Sequence, residues 1–293
     1  MNAIRCKDLH KSYGKTVALD YLNLSVERGE VYGFIGPNGA GKSTTIRILL
    51  GLLHKESGEV ELLGGDPWRD ASTLHKRLAY VPGDVSLWGN LTGGEVIDML
   101  GNMRGGFEVK RKNELLARFE LDPRKKCNTY SKGNRQKVAL VAAFVSDVDL
   151  YILDEPTSGL DPLMELVFQD CVTEMKKQGK TVFLSSHILA EVEALCDKVG
   201  IIRKGKLIET GTLDELRHLT RTTVIVETIK PVTDLGEFIF DKSTEGGKLR
   251  FSVDTSNWDE VLKRLTCFGV KSLVCKPPTL EELFMRHYGE TIT

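Results

Sequence analysis

Gly36-Pro37-Asn38-Gly39-Ala40-Gly41-Lys42-Ser43-Thr44 fits the pattern G-x-x-x-x-G-K-[ST], and its reading decides the fold. Before it stands Val31-Tyr32-Gly33-Phe34-Ile35, a short apolar run of strand type. After it comes Thr45-Ile46-Arg47-Ile48-Leu49-Leu50, apolar and helix-compatible, which Gly51 can end. A strand, a glycine-rich turn and a helix start place a row of backbone N–H groups around a triphosphate. Lys42 then reaches the β- and γ-phosphates, and Ser43 offers its hydroxyl to Mg²⁺. A glycine turn that binds nothing is the bland alternative, and the strand–loop–helix context weighs against it.

Bulk composition narrows the class. A chain of 293 residues has room for about two domains. Hydrophobic residues at 41% and charged residues at 28% are ordinary for a globular protein. A net charge of −1 gives no electrostatic case for a nucleic-acid partner, and none is expected. No apolar stretch is long enough to span a bilayer. Met1 to Asp8 lacks the apolar core of a signal peptide, so a cytosolic location is expected. Cys6, Cys127, Cys171, Cys196, Cys267 and Cys275 are scattered without a C-x-x-C pair, which reads as free thiols packed like small apolar residues.

Outward from the loop the chain alternates strands and helices. Ile4 to about Val26 reads as two strand-like segments around a loop, Lys11-Ser12-Tyr13-Gly14-Lys15. Val60 to Gly65 is a strand and turn, and Leu78-Ala79-Tyr80-Val81 another short apolar run. Between about Thr92 and Phe144, helical spacing around Gly94–Leu100 and Glu114–Phe119 suggests a helical insertion, about residues 84–148. Leu150–Glu155 resumes the core. A helix around Glu165–Lys177, a strand Thr181–Ser185, a helix around Ala190–Cys196 and a strand Val199–Ile202 follow. The order implies a largely parallel sheet with covered faces. A boundary near His218 to Arg221 separates a domain of residues 1–218 from an accessory α+β domain of residues 219–293. In the latter, Trp258, Val261, Leu262, Leu265 and Phe268 mark a core-facing helix.

Leu150-Tyr151-Ile152-Leu153-Asp154-Glu155 is an apolar strand ending in two carboxylates. Alternation on a strand sends Asp154 and Glu155 to different sides. That suits Asp154 holding Mg²⁺ beside Ser43 and Glu155 polarising an attacking water as general base. Two solvated acids at a strand end are the plainer alternative, weakened by the intact loop upstream.

Asp154-Glu155-Pro156-Thr157-Ser158-Gly159-Leu160-Asp161-Pro162 resembles the Walker B strand and D-loop of ATP-binding cassette (ABC) ATPases. Ser185-Ser186-His187 is similar to their H-loop, and Tyr13 in Lys-Ser-Tyr-Gly-Lys to their A-loop aromatic. The order matches from Ile4 to about Leu216. The resemblance implies a P-loop NTPase core of the ABC type, with ATP and Mg²⁺ as ligands. It implies that Tyr13 stacks on adenine and that His187 bonds the γ-phosphate. It further implies that Asp161 meets the partner's phosphate loop across a dimer interface, while capping the next helix remains an equally good use for it.

Two departures stand out. Where the family has Leu-Ser-Gly-Gly-Gln, facing the ATP of the opposite subunit, this chain has Tyr130-Ser131-Lys132-Gly133-Asn134. Ser131 and Gly133 survive. Lys132 adds positive charge to a helix start but also a Cβ that limits backbone approach to phosphate. Where a Q-loop glutamine is usual, Leu78 to Trp88 places Gly83, with Asp84 adjacent as a candidate oxygen ligand. A glycine hinge in an ordinary loop is the plainer reading there.

The resemblance therefore implies an ATP-hydrolysing subunit that pairs with a second cassette, as a homodimer, and drives a separate integral membrane permease from the inner face of the cell membrane. The ending Pro278-Thr279-Leu280-Glu281-Glu282-Leu283-Phe284 with Tyr288-Gly289 is similar to bacterial export-type subunits for drugs and antibiotic peptides. The alternative is a soluble ABC ATPase or an ATP-binding regulatory module uncoupled from transport.

Overall fold

The computed structural model describes residues 1–218, 221–236, 238–254 and 257–276. Backbone contacts divide the chain into two compact units, Met1–Thr210 and Gly211–Thr293. The division falls somewhat before the boundary near His218 that the sequence suggests.

In the first unit, β1 (Asn2–Tyr13) and β2 (Thr16–Glu27) form an antiparallel hairpin closed by the turn Gly14-Lys15. Tyr13 thus ends a strand instead of sitting in a five-residue loop. The alternation of buried Leu22, Leu24 and Val26 with exposed neighbours explains why β2 is a strand with one covered face. Next come β3 (Val31–Ile35), α1 (Lys42–Leu49), β4 (Ser57–Leu62), the single turn α2 (Ala71–Leu74) and β5 (Leu78–Val81). Three helices make the insertion: α3 (Gly93–Met103), α4 (Val109–Arg118) and α5 (Lys132–Phe144). Thr92 and Glu95 close a reciprocal capping box that starts α3. The core continues with β6 (Leu150–Asp154), α6 (Pro162–Lys177), β7 (Thr181–Ser186), α7 (Leu189–Leu195), β8 (Lys198–Arg203) and β9 (Lys206–Thr212).

β1, β2 and β4 make a three-stranded sheet in the order β2-β1-β4, and the central sheet runs β5-β6-β7-β3-β8-β9. The pairs β5–β6, β6–β7, β7–β3 and β3–β8 are parallel. Every residue of β3, β6 and β7 is buried, the pattern of strands covered on both faces. Phe34, Ile152 and Phe183 join Ile46 and Leu49 of α1 in one apolar core. Parallel strands all end on the same side of a sheet, so residues just past Ile35, Asp154 and Ser186 are gathered there.

The second unit begins with α8 (Leu213–His218). Its sheet comprises β10 (Thr222–Thr228), β11 (Ile239–Glu245), β12 (Lys248–Val253) and β13 (Val270–Lys276) in the order β11-β12-β10-β13. The helix α9 (Trp258–Thr266) contributes Val261 and Leu265 to a core with Val224, Val226 and Phe251. Trp258 and Phe268 pack against that core, as the helical spacing suggests. The sequence reading missed β9, β11 and β13. Four cysteines are buried, whereas Cys267 and Cys275 are exposed instead of packed. Among the described residues, no helix is long and apolar enough to cross a membrane. The stretch Pro278 to Gly289 used in the sequence comparison lies outside the described residues.

Candidate functional site

The loop between β3 and α1 winds around its own lysine. Gly41 sits at φ 116°, a conformation that favours glycine, and caps the start of α1. Lys42 is buried, and its Nζ donates to the carbonyls of Gly36 at 2.6 Å and Pro37 at 3.2 Å. Burial lowers its pKa, opposed by the carboxylates of Glu155 and Asp154. Ala40 is buried and the Thr45 hydroxyl bonds the Gly41 carbonyl at 3.0 Å, whereas Asn38 and Gly39 are exposed at the loop's tip. Thr44 is half-buried on the first turn of α1.

Asp154, the last residue of β6, is held from two sides. Ser43 Oγ donates to its Oδ2 at 3.3 Å, and Ser185 Oγ of β7 donates to its Oδ1. A hydroxyl and a carboxylate therefore converge next to the lysine. Two hard oxygens suit Mg²⁺, which keeps several waters and binds phosphate oxygens besides its protein ligands. Tyr80 of β5 feels the same carboxylate. Burial first, and then Asp154, push its hydroxyl up to about 12.

Glu155 does not continue the strand. Its φ is 47°, and its carbonyl accepts from Ser158 N in a turn. The separation of Asp154 from Glu155 thus comes from a left-handed kink after β6, not from the strand alternation expected. A left-handed non-glycine residue at such a place is strained by about 1–3 kcal/mol, which the surrounding contacts must outweigh. His187, directly after β7, lies with Nδ1 3.3 Å from Glu155 Oε1. Gly83 packs on the same point: a Cβ there would lie 3.2 Å from the Asp154 carbonyl. Asp84 is exposed and makes no hydrogen bond or ion pair among the described residues.

Helix α5 meets the turn after Glu155 within the same chain. A Cβ on Gly133 would come within 2.5 Å of the Gly159 carbonyl, so this glycine is fixed by close approach. Gln136 Nε2 donates to the Pro156 carbonyl at 2.8 Å, and Lys132 Nζ to Ser158 Oγ at 2.9 Å. Ser131 caps α5 by accepting from Asn134 N at 3.3 Å. Tyr130 replaces leucine without loss of anchorage, because its hydroxyl donates to the Asp122 carbonyl at 2.6 Å. Asp161 caps α6, accepting from Met164 N at 3.0 Å, and remains exposed. Tyr13 is about half exposed, with Lys11 Nζ 5.8 Å from its ring centre.

Lys42, Ser43, Asp154, Glu155, His187 and Gly83 are thereby brought together at one end of the sheet. Tyr13, Ser131 and Asp161 lie on exposed positions at element ends. Sequence reasoning gave Ser185 no task of its own and passed over Gln136, and no spacing signal marks either.

A family model described as ABC transporter matches residues 19–158. The linearmycin resistance ATP-binding protein LnrL of Bacillus subtilis is 30% identical over 99% of this chain and 99% of its own length. The bacitracin transport ATP-binding protein BcrA of Bacillus licheniformis is 36% identical over 74% of this chain and 72% of its own. A solved dimeric ATP-binding cassette, MJ0796, in a post-hydrolysis state with ADP and Pi, superposes with a TM-score of 0.65. It is 25% identical, covering 72% of this chain and 98% of that one. The chain belongs to the family of ABC transporter ATP-binding proteins. Its core is an ABC ATPase cassette, and ATP is the nucleotide that such a cassette binds.

Proposed function

We propose that this chain is the ATP-hydrolysing subunit of a bacterial exporter of antibiotic-like compounds, working as a cassette dimer beneath a separate membrane permease. One observation carries the reading: the ends of β3, β6 and β7 bring Lys42, Ser43, Asp154, Glu155 and His187 to one place. The loop's N–H groups and Lys42 bind the triphosphate, which draws the ammonium from the Gly36 and Pro37 carbonyls. Ser43 and Asp154 would hold Mg²⁺, which would supply charge neutralisation for the triphosphate. Glu155 takes the proton of the attacking water, and His187, held beside it, orients the γ-phosphate. Tyr13 offers a π-face to adenine. Ser131, Gly133 and Asp161 face the second cassette's nucleotide.

The export assignment rests on likeness to proteins named for linearmycin resistance and bacitracin transport. The dimer rests on likeness to a dimeric cassette. A place on the inner face of the cell membrane follows from the permease. The test is Mg²⁺-dependent ATP hydrolysis by the purified chain across a range of protein concentrations. Activity per molecule that rises with concentration is the expected result of composite sites. Constant activity per molecule from a chain that sediments as a monomer throughout that range rules out a functional homodimer.

A further inference from the structure

Apart from Asp154, which belongs to the site outlined above, Glu191 is the one buried carboxylate of the first unit among the described residues. It lies on the first turn of α7 and is 5% exposed. Its Oε2 accepts from Ser186 Oγ at 2.7 Å, and that hydroxyl in turn accepts from Ile188 N at 3.0 Å. These two bonds define the turn 186–188, whose middle residue is His187. The His187 side chain is 56% exposed, so packing does little to fix it and the turn's geometry sets where its ring points. On its other side Glu191 faces the turn after Glu155. The Thr157 hydroxyl stands beside the carboxylate, while Oε1 is buried without a hydrogen-bond partner. Thr157 itself is buried, two residues beyond the left-handed Glu155.

We propose that Glu191 is a positioning residue that ties the turn carrying His187 to the turn carrying Glu155. The proposal rests on the functional reading of those two side chains. A buried acceptor left partly unsatisfied is costly, so its placement between two turns calls for a reason. Burial pushes the Glu191 carboxyl above its ordinary range, against the opposing pull of the Ser186 and Thr157 hydroxyls, as befits a group enclosed by two turns. One carboxylate bonded to Ser186 and enclosed beside the buried Thr157 couples the turn of the phosphate-facing imidazole to the turn of the water-activating acid.

The experiment compares the full-length protein with Glu191→Ala, Glu191→Gln and Ser186→Ala. It measures kcat, the dissociation constant for ATP, and the ring signals of His187 by NMR. Glu191→Ala should lower kcat about tenfold while ATP affinity stays within about twofold, the pattern of lost transition-state geometry. Glu191→Gln should recover kcat to within about threefold, because its amide oxygen still accepts from Ser186 and its amide N–H can donate to Thr157. Should Glu191→Ala fail to fold, Ser186→Ala carries the same expectation. Equal losses in the alanine and glutamine variants, affinity falling in step with kcat, or an unchanged kcat would each overturn the proposal. A wild type that binds ATP without turnover would break only the functional reading. The His187 ring signals then decide: they should move in Glu191→Ala and hold in Glu191→Gln, and ring signals alike in every variant would refute the tether.

Discussion

The two compact units bury different kinds of residue. Within Met1–Thr210 the interior admits Lys42, Thr45, Gln136, Asp154, Thr157, Ser185, Ser186 and Glu191. Within Gly211–Thr293 the only buried polar residue among those described is Thr223, and its ion pairs, such as Arg264–Glu260 and Lys271–Glu227, lie on the surface. Burying polar groups costs stability unless each finds a partner. The first unit accepts that cost around the ends of β3, β6 and β7, and its buried groups bond one another there. The second unit is built on apolar packing of α9 against a sheet, with no convergence of titratable groups among its described residues. The contrast separates a part shaped by chemistry from a part shaped by packing.

Four changes put that contrast under strain, taken from the largest effect downward. Glu155→Gln should cut turnover by about 10²–10⁴-fold, the usual worth of a general base, with ATP binding retained. Single-turnover hydrolysis checks this, and normal turnover would remove Glu155 from the chemistry. Leu265→Ala should destabilise the second unit by about 2–5 kcal/mol through a cavity beneath α9. Denaturant unfolding reads that loss, and ATP affinity should stay unchanged because no site residue is touched. A fall in affinity would mean that the second unit shapes the nucleotide site. Lys42→Ala should weaken ATP binding by about 10–100-fold, matching charged hydrogen bonds worth about 1.5–3 kcal/mol. Equilibrium titration with ATP tests it, and retained affinity would sink the phosphate-loop assignment. Arg77→Ala breaks a 2.7 Å ion pair to Asp149 between side chains that are 39% and 47% exposed. It should change stability by no more than about 1 kcal/mol, and a larger loss in thermal melts would show that surface charge matters more here than the buried cluster suggests.

Much of the first unit was legible because its signals are local. A strand, a glycine-rich turn and a helix start are contiguous, and so are Asp154 and Glu155, so spacing alone picks out Lys42, Ser43 and the two acids as candidates. Apolar runs bounded by turn residues located β3, β5, β6, β7 and β8. The strands β9, β11 and β13 escaped notice because their sequences mix charge and small residues: all of β13 is exposed, and β9 has no fully buried residue. Edge strands carry little hydrophobic signature. Strand alternation predicts the separation of Glu155 from Asp154, yet a left-handed residue such as Glu155 is invisible to periodicity unless it is glycine.

Sequence by itself determined the class of chemistry, because a phosphate loop and a carboxylate pair are defined by which residues are neighbours along the chain. Tertiary structure alone decided the contacts between segments far apart in sequence. It set Ser185 against Asp154, His187 against Glu155, Gln136 against Pro156 and Gly133 against Gly159. The physical reason is that these contacts depend on strand order and on how closely two backbones approach. Both are properties of the packed sheet and of no single segment.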